Sequence, residues 1–397
     1  MISVAEAVAR VSKSIAALAP ERIAVADAAG RVLAENVLAS FDQPPAPMSA
    51  MDGYAVRMED AQVGAELRVA GEAPAGAPYG GTLKAGEAVR IFTGGVVPEG
   101  ADAVVIQEDT ESKAGLVVIK EAPRPNENIR ARGLDFRGND VLLERGHRVT
   151  ARDMALLASA DMASVSVTRR PRVAIVATGD ELSRPGEPRK AGGIVASSTY
   201  ALQAMVRNWG GEPLDLGILP DRPEAFANLP EAAKDVDLIV TLGGASVGDH
   251  DLVQSALAPH GFALDFWQIA MRPGKPLIFG HLNRTPLIGL PGNPVSAMVC
   301  AVLFLAPALS AMLGAPYAET IAKARLASPL KANSHRQDYI RARLVRRDGV
   351  LTAEPFALQD SSMQRIFAQA DGLIVRKPGA PPAHEGDDAD VLLLEGC

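Results

Sequence analysis

The feature that most constrains the fold lies between Pro171 and Leu313. There, short segments built almost wholly from Val, Ile and Leu (RVAIVAT, LDLGIL, DLIVTLGG, PLIFG, TPLIGL) alternate with helical patterns (STYALQAMVRNW, PEAFANLPEAAK, LVQSALAPHG and Val295 to Leu313). Strands without polar alternation are covered on both faces, so this rhythm predicts a doubly wound α/β unit on a parallel sheet. Ligands in such sheets bind beyond the carboxyl ends of the strands. The strand-end loops are therefore where chemistry is expected.

Four such loops stand out. After Val173 to Val176 come Thr178, Gly179, Asp180 and Glu181; neither G-x-G-x-x-G nor a Walker loop is present, and the two carboxylates equally suit the positive end of a following helix. After Leu238 to Leu242 come Gly243, Gly244 and Ser246, whose N–H groups and hydroxyl suit a phosphate. Asp249 and Asp251 follow; spaced two apart, they face one way in extended chain and offer oxygen ligands to a divalent cation, with His250 turned away, although a Gly-rich turn with an Asp cap also explains them. In MRPGKP, Pro273 and Gly274 fit the centre of a type II turn, which brings Arg272 and Lys275 within about 7 Å at their Cα atoms and suggests an anion between them. In LPGNP, Pro291 and Gly292 form a second turn that leads into a helix with Asn293 at the N-cap and Pro294 at the first helical position.

The rest of the chain is β-like, apart from an amphipathic N-terminal helix carrying Val4, Val8, Val11, Ile15 and Leu18 and a helical pattern in VTARDMALLASAD. Residues 37–150 read as brief strands among Gly/Pro-rich turns, and the chain after Pro316 reads as a small β domain. Within the first of these regions Ser49, Asp52 and Tyr54, then Thr93, then Arg132, Asp135 and Arg137 sit in turns, where each carboxylate is as well explained by capping as by catalysis. With 397 residues, roughly two to four domains are expected. A formal charge of −7 and 4% aromatics exclude general attraction for nucleic acid or an anionic membrane and a base-stacking platform. Two cysteines, Cys300 and Cys397, supply no disulfide framework, which fits a cytoplasmic protein. The apolar stretch Ala297 to Leu313 is interrupted by Pro307 and Ser310 and reads as a buried helix rather than a membrane span.

The strings PPAPMSAMDGYAV, TGGVVPEGADAVV, IRARGLDFRGNDVL, VAIVATGDEL, TLGGASVGDHD, MRPGKP and GLPGNPVSA occur in one order, and with SSMQRIFAQADGLIV they span essentially the whole chain. Together they resemble the molybdopterin molybdenumtransferases of MoeA type, the family that includes the E domain of gephyrin. The resemblance implies a multidomain α/β plus β chain: a dimerisation and linking region at 1–45 with 136–170, an inserted β-rich domain at 46–135, a molybdopterin-binding α/β domain at 171–316 and a C-terminal β domain at 317–397. It also implies an elongated homodimer, with a cleft between the α/β domain of one subunit and the MDGYAV-bearing region of the other.

The implied reaction takes adenylylated molybdopterin and molybdate, releases AMP in a Mg²⁺-dependent step and yields molybdenum cofactor. Other cofactor-biosynthesis proteins are implied as partners. On this resemblance Asp52, Thr93, Asp135 and Glu181 are catalytic. Asp221, Gly243, Gly244, Ser246, Arg272, Lys275, Pro291, Gly292, Asn293 and Pro294 bind substrate, and Asp180, Glu181, Asp249 and Asp251 hold the metal. The chain departs from the usual pattern at Ala245 (commonly valine), Ser198 (asparagine) and Arg272 (lysine). The competing readings are the related adenylyltransferase step, for which no ATP-binding loop is evident, a non-catalytic pterin-binding scaffold, and a tungsten-inserting variant.

Overall fold

The computed structural model describes residues 1–244, 252–317 and 319–394. Its centre is a mixed six-stranded sheet in the order Glu212–Leu219, Arg172–Thr178, Leu238–Leu242, Thr285–Leu290, Pro276–Leu282, Phe262–Gln268. The first four strands run parallel, as their unbroken apolar sequences require. The last two pairings are antiparallel, which corrects the all-parallel expectation. Only Asn283 and Arg284 separate Pro276–Leu282 from Thr285–Leu290, too few for a crossover helix, so those strands form a hairpin.

Helices cover both faces of the sheet. One face packs Val173, Ile175, Leu238 and Val240 against helix Ser197–Asn208 and the helical stretch 294–313; the other buries Ala174, Val176 and Ile239 beneath Phe226, Leu229, Val253 and Leu257. The stretch 294–313 meets a membrane span in length and hydropathy, yet 89% of it is buried as the core helix of this domain. It passes Pro307 without breaking because residues Ala301–Leu305 adopt a π turn.

The N-terminal helix Val4–Lys13 belongs to this same core. Val4, Ala7 and Val11 are buried in the cluster around Val299, Leu303 and Leu309, and the Leu18 N–H donates to the Met312 carbonyl at 2.8 Å. This corrects the grouping of residues 1–45 as one region with 136–170: the apolar stripe of the first helix is covered within its own α/β domain. The linking region begins only at Pro20–Ala24, which pairs with Ser164–Thr168; Val37–Leu38 pairs with Val141–Leu143, and helix Ala151–Ser159 closes a small core around Leu33, Leu157 and Val167.

The inserted domain is a six-stranded sheet in the order Ala103–Ile106, Gly53–Val56, Glu87–Ile91, Glu66–Ala73, Leu116–Ile119, Thr110–Lys113. Its entry and exit are tied by Met48–Ser49 pairing with Ile129–Arg130. In the C-terminal domain, Gln337–Arg347, Val350–Pro355, Ile321–Leu326, Asp388–Leu393 and Gly372–Arg376 close into a five-stranded barrel, since the first and last of these also pair. Met271–Arg272 of the α/β domain adds to that barrel, in parallel with Gln337 and Asp338.

The helix in the linking region depends on one carboxylate. Asp153 accepts from Thr150 N and Oγ1 and contacts His147 Nε2, each at 2.7 Å. Burial alone raises its pKa, but these bonds outweigh burial and hold the group at about 2 against an ordinary 3.8. A depressed folded pKa gives stability that is complete above about pH 4 and lost as pH falls through about 2. Asp153→Ala is expected to cost about 1 kcal/mol at neutral pH and to remove this acid-sensitive component, as read from urea midpoints across that range.

Candidate active site

The strand ends converge as the parallel sheet requires. Gly243 and Gly244 follow Leu242 with φ of +88° and +68°, consecutive left-handed residues that turn successive N–H groups toward one side. The crowding is severe: a Cβ at Gly243 meets Thr178 Oγ1 and O at 2.9 Å, and one at Gly244 meets a Val253 methyl at 2.8 Å. Gly243 N–H donates to Leu290 O at 3.1 Å, which ties this loop to the LPGNP turn and sets Gly292 beside Gly243. Ser246, Asp249 and Asp251, along with His250 and Ala245, lie outside the described residues, as does Cys397.

LPGNP behaves differently from its sequence expectation at one atom. Asn293 occupies the N-cap position and Pro294 the first turn, but the Asn293 side chain makes no capping bond. Instead Val295 N–H donates to Ser361 O at 3.0 Å, so a carbonyl from the C-terminal domain takes one of the free amides.

In MRPGKP the Arg272–Pro273 peptide is cis, and Gly274 has φ +99°, the positive φ that the third position of the expected type II turn requires. The loop rests on the core helix: Cys300 Sγ donates to Gly274 O at 3.7 Å, and a Cβ on Gly274 meets that sulfur at 2.4 Å. The two cations of this loop differ in their surroundings. Arg272 engages Asp338, which is 4% exposed, through Nε to Oδ1 at 3.1 Å and a second bond from Nη2 to Oδ2. Its charge is balanced from the barrel, whereas the Lys275 ammonium has no partner among the described residues.

Sequence reasoning missed Arg341. It is 1% exposed, and its guanidinium donates only to neutral oxygens, Gln359 Oε1 at 3.0 Å and Asp360 O at 2.8 Å; no ion pair to it is formed among the described residues. Burial pulls its pKa down, and the Asp360 charge opposes that. In the string YIRARLVRR it resembles its neighbours, all alternating strand cations; only burial separates it from the exposed Arg343.

Asp180, Glu181 and Asp221 lie at adjacent strand ends. Burial and repulsion from Glu181 and Asp180 raise the Asp221 pKa, against a hydrogen bond from Asp180 N–H. Lys190 Nζ donates to Asp180 O at 2.8 Å. Among the described residues no three His, Cys, Asp or Glu side chains converge tightly enough to hold a metal ion.

In the inserted domain Asp52 Oδ1 accepts from Thr93 N at 2.7 Å and Thr93 Oγ1 at 2.8 Å. These bonds, with the Arg90 charge, hold its carboxyl below the usual range despite some burial. Arg90 lies 5.0 Å from both the Tyr54 and Phe92 rings and donates to Gln107 Oε1 at 2.8 Å. Asp135 stands apart and exposed, its N–H donating to Gln43 O at 2.9 Å. The structure thus unites Asp52 with Thr93, and the strand-end loops with one another. Among the described residues no hydrogen bond or ion pair joins Asp52, Thr93 or Asp135 to those loops.

A linking region, a β insertion, an α/β centre with a tight Gly-Gly strand end and a terminal barrel define a class of multidomain α/β proteins whose strand-end loops suit an anion. Residues 2–160 match the MoeA N-terminal region (domain I and II), 174–311 the probable molybdopterin binding domain and 323–394 the MoeA C-terminal region (domain IV). The chain is 37% identical over 377 residues to a molybdopterin molybdenumtransferase of Nostoc sp., covering 92% of this chain and 86% of the relative. It is 35% identical over 404 residues to that of Bacillus subtilis, covering 99% and 94%. The crystal structure of a molybdopterin biosynthesis MoeA protein from Pyrococcus horikoshii superposes with a TM-score of 0.87 at 30% identity, covering all of both chains. The chain belongs to the MoeA family of molybdopterin molybdenumtransferases.

Two substitutions test this geometry. Gly243→Ala puts a side chain into a left-handed, crowded position and is expected to lower stability by about 1–3 kcal/mol in a urea titration and to abolish phosphate-dependent binding. Thr93→Ala removes one donor to Asp52 and keeps the backbone one. The acidic limb of the activity profile is expected to move to higher pH, because Asp52 is then protonated more readily.

Proposed function

We propose that this transferase of molybdenum cofactor biosynthesis acts on adenylylated molybdopterin and molybdate, cleaving the phosphoanhydride to release AMP as molybdenum joins the dithiolene sulfurs. The observation that carries the reading is the paired left-handed glycines, Gly243 and Gly244, held against the LPGNP turn; the buried Arg341 holds Asp360 O, next to the Ser361 carbonyl that takes the Val295 amide of that turn, and Lys275 has no ion-pair partner among the described residues. Backbone amides suit phosphate oxygens, and a guanidinium or ammonium without a carboxylate partner suits a tetrahedral oxyanion.

Mg²⁺ suits the acidic side of this site. Asp180, Glu181 and Asp221 offer only hard oxygen donors, and burial together with the Glu181 and Asp180 charges raises the Asp221 pKa, a penalty on its ionised form that a divalent cation would offset. Since these three do not converge on one point by themselves, Asp249 and Asp251 would have to complete the ligand set, and the ion would supply charge neutralisation at the phosphates. The chain's own groups do the rest. The Gly244 amide orients the phosphates while the Gly243 amide, donated to Leu290 O, anchors the loop; Lys275 and the buried Arg341 charge attract the oxyanion, and Asp52, kept ionised by Thr93, takes a proton from the water that attacks the anhydride.

Asp52 and its Thr93 partner would reach the cleft from a second subunit. Leu38 and Val141, cross-strand partners in the linking region, are 47% and 50% exposed, an apolar pair suited to burial against another copy. The expected setting is a cytoplasmic homodimer that exchanges substrate and product with other enzymes of the same biosynthesis.

Purified chain given adenylylated molybdopterin, molybdate and Mg²⁺ is expected to release AMP stoichiometrically with active cofactor. Asp52→Asn is expected to slow that release at least a hundredfold with the fold intact. AMP release that persists in the Asp52→Asn protein argues for a different base, and ATP consumption in its place argues for the adenylyltransferase step. A scaffold gives neither.

A further inference from the structure

The charged strand-end loops recognise only the anionic parts of such a substrate. Beside them lies a recess of about 310 Å³ between helix Ser197–Asn208, the start of the core helix at Pro294 and Val295, and the short helix Gln364–Ala368 of the C-terminal domain. Among the described residues no ionisable side chain lines it. Its walls carry Ala201, Met205 and Met298 on the α/β side and Phe367 on the barrel side, and its polar groups are the Ser197 and Ser198 hydroxyls and the Gln364 amide. Gln364 Nε2 donates to Ser197 Oγ at 2.5 Å, and the neighbouring Ser361 carbonyl accepts from Val295 N–H, so the two domains are clamped on the same side of the recess.

We propose that this recess holds a flat nitrogen heterocycle of the substrate, with Phe367 and Gln364 of the C-terminal domain as its specificity determinants; the assignment rests on the function proposed above. The volume lies at the lower end of small-molecule sites, large enough for a fused ring system and too small for a peptide helix. Thioethers and a phenyl ring give a flat π system two polarisable faces, and hydroxyl and amide groups match the alternating donors and acceptors along a heterocycle edge. Pro294 lines the recess and also begins the helix whose turn sits beside Gly243, so a ring seated here has its phosphate-bearing arm directed to the glycine loop. Pterin and adenine share this chemistry, and both occur in adenylylated molybdopterin.

The full chain is titrated separately with pterin, followed by pterin fluorescence, and with AMP, followed by calorimetry. Ala368 and Ala204, exposed residues on opposite walls, are each replaced by tryptophan, with thermal unfolding as the check on folding; the two positions make the test independent of either variant's stability. The expected result is at least a tenfold loss of affinity for one ligand in a folded tryptophan variant and about a tenfold loss in Phe367→Ala, while Gln364→Leu binds pterin and pterin lacking its 2-amino group equally. The ligand that is lost identifies the ring. Unchanged affinity for both ligands in a folded tryptophan variant overturns the proposal, even where AMP release continues and the transferase reading stands. Weakened binding in the variants with no AMP release by the unaltered protein upholds the recess and overturns the reaction instead.

Discussion

Everything at the candidate site leans on the burial of the helical stretch 294–313 against the central sheet. Residues such as Leu303, Phe304 and Leu305 are fully buried, at roughly 25 cal/mol per Å² of apolar surface removed from water, so the helix has one seat and no freedom to slide. Its first turn fixes the LPGNP amides, its Cys300 supports the MRPGKP loop, and its last turns dock the N-terminal helix. A buried cysteine whose thiol is pushed upward in pKa by desolvation contributes shape here, not reactivity.

How far the sequence revealed this differs by element. The α/β centre was legible because strands covered on both faces leave no polar alternation, and Val173 to Val176 or Leu238 to Leu242 carry that pattern plainly. The hairpin of Pro276–Leu282 and Thr285–Leu290 looks the same in composition, and only its two-residue link reveals the reversal. The helix Val4–Lys13 was legible as a helix, but an apolar stripe does not name the surface it meets; its seat on the α/β core depends on contacts nearly 300 residues away.

The site was legible where backbone chemistry dictates residue type and opaque where charge pairing decides. Gly243 and Gly244 are recognisable because no other residue fits such positions. Arg272 reads as a free cation until Asp338 appears opposite it, and Arg341 reads as a solvated strand residue until its burial is seen. Charge balance is a tertiary property, set by which strands become neighbours. The same reasoning reconciles an acidic chain with an anionic substrate, since the net −7 is spread over the surface while a few donors converge locally.

The short strand Met271–Arg272 belongs to one domain by chain connectivity and to the other by hydrogen bonding. The charge of the MRPGKP loop is therefore written jointly: Arg272 supplies a positive charge and Asp338, in the barrel, balances it. Substitutions in the barrel reset the charge balance of a loop that belongs by chain connectivity to the α/β domain. A barrel transplanted from a relative carries its own setting of that balance with it.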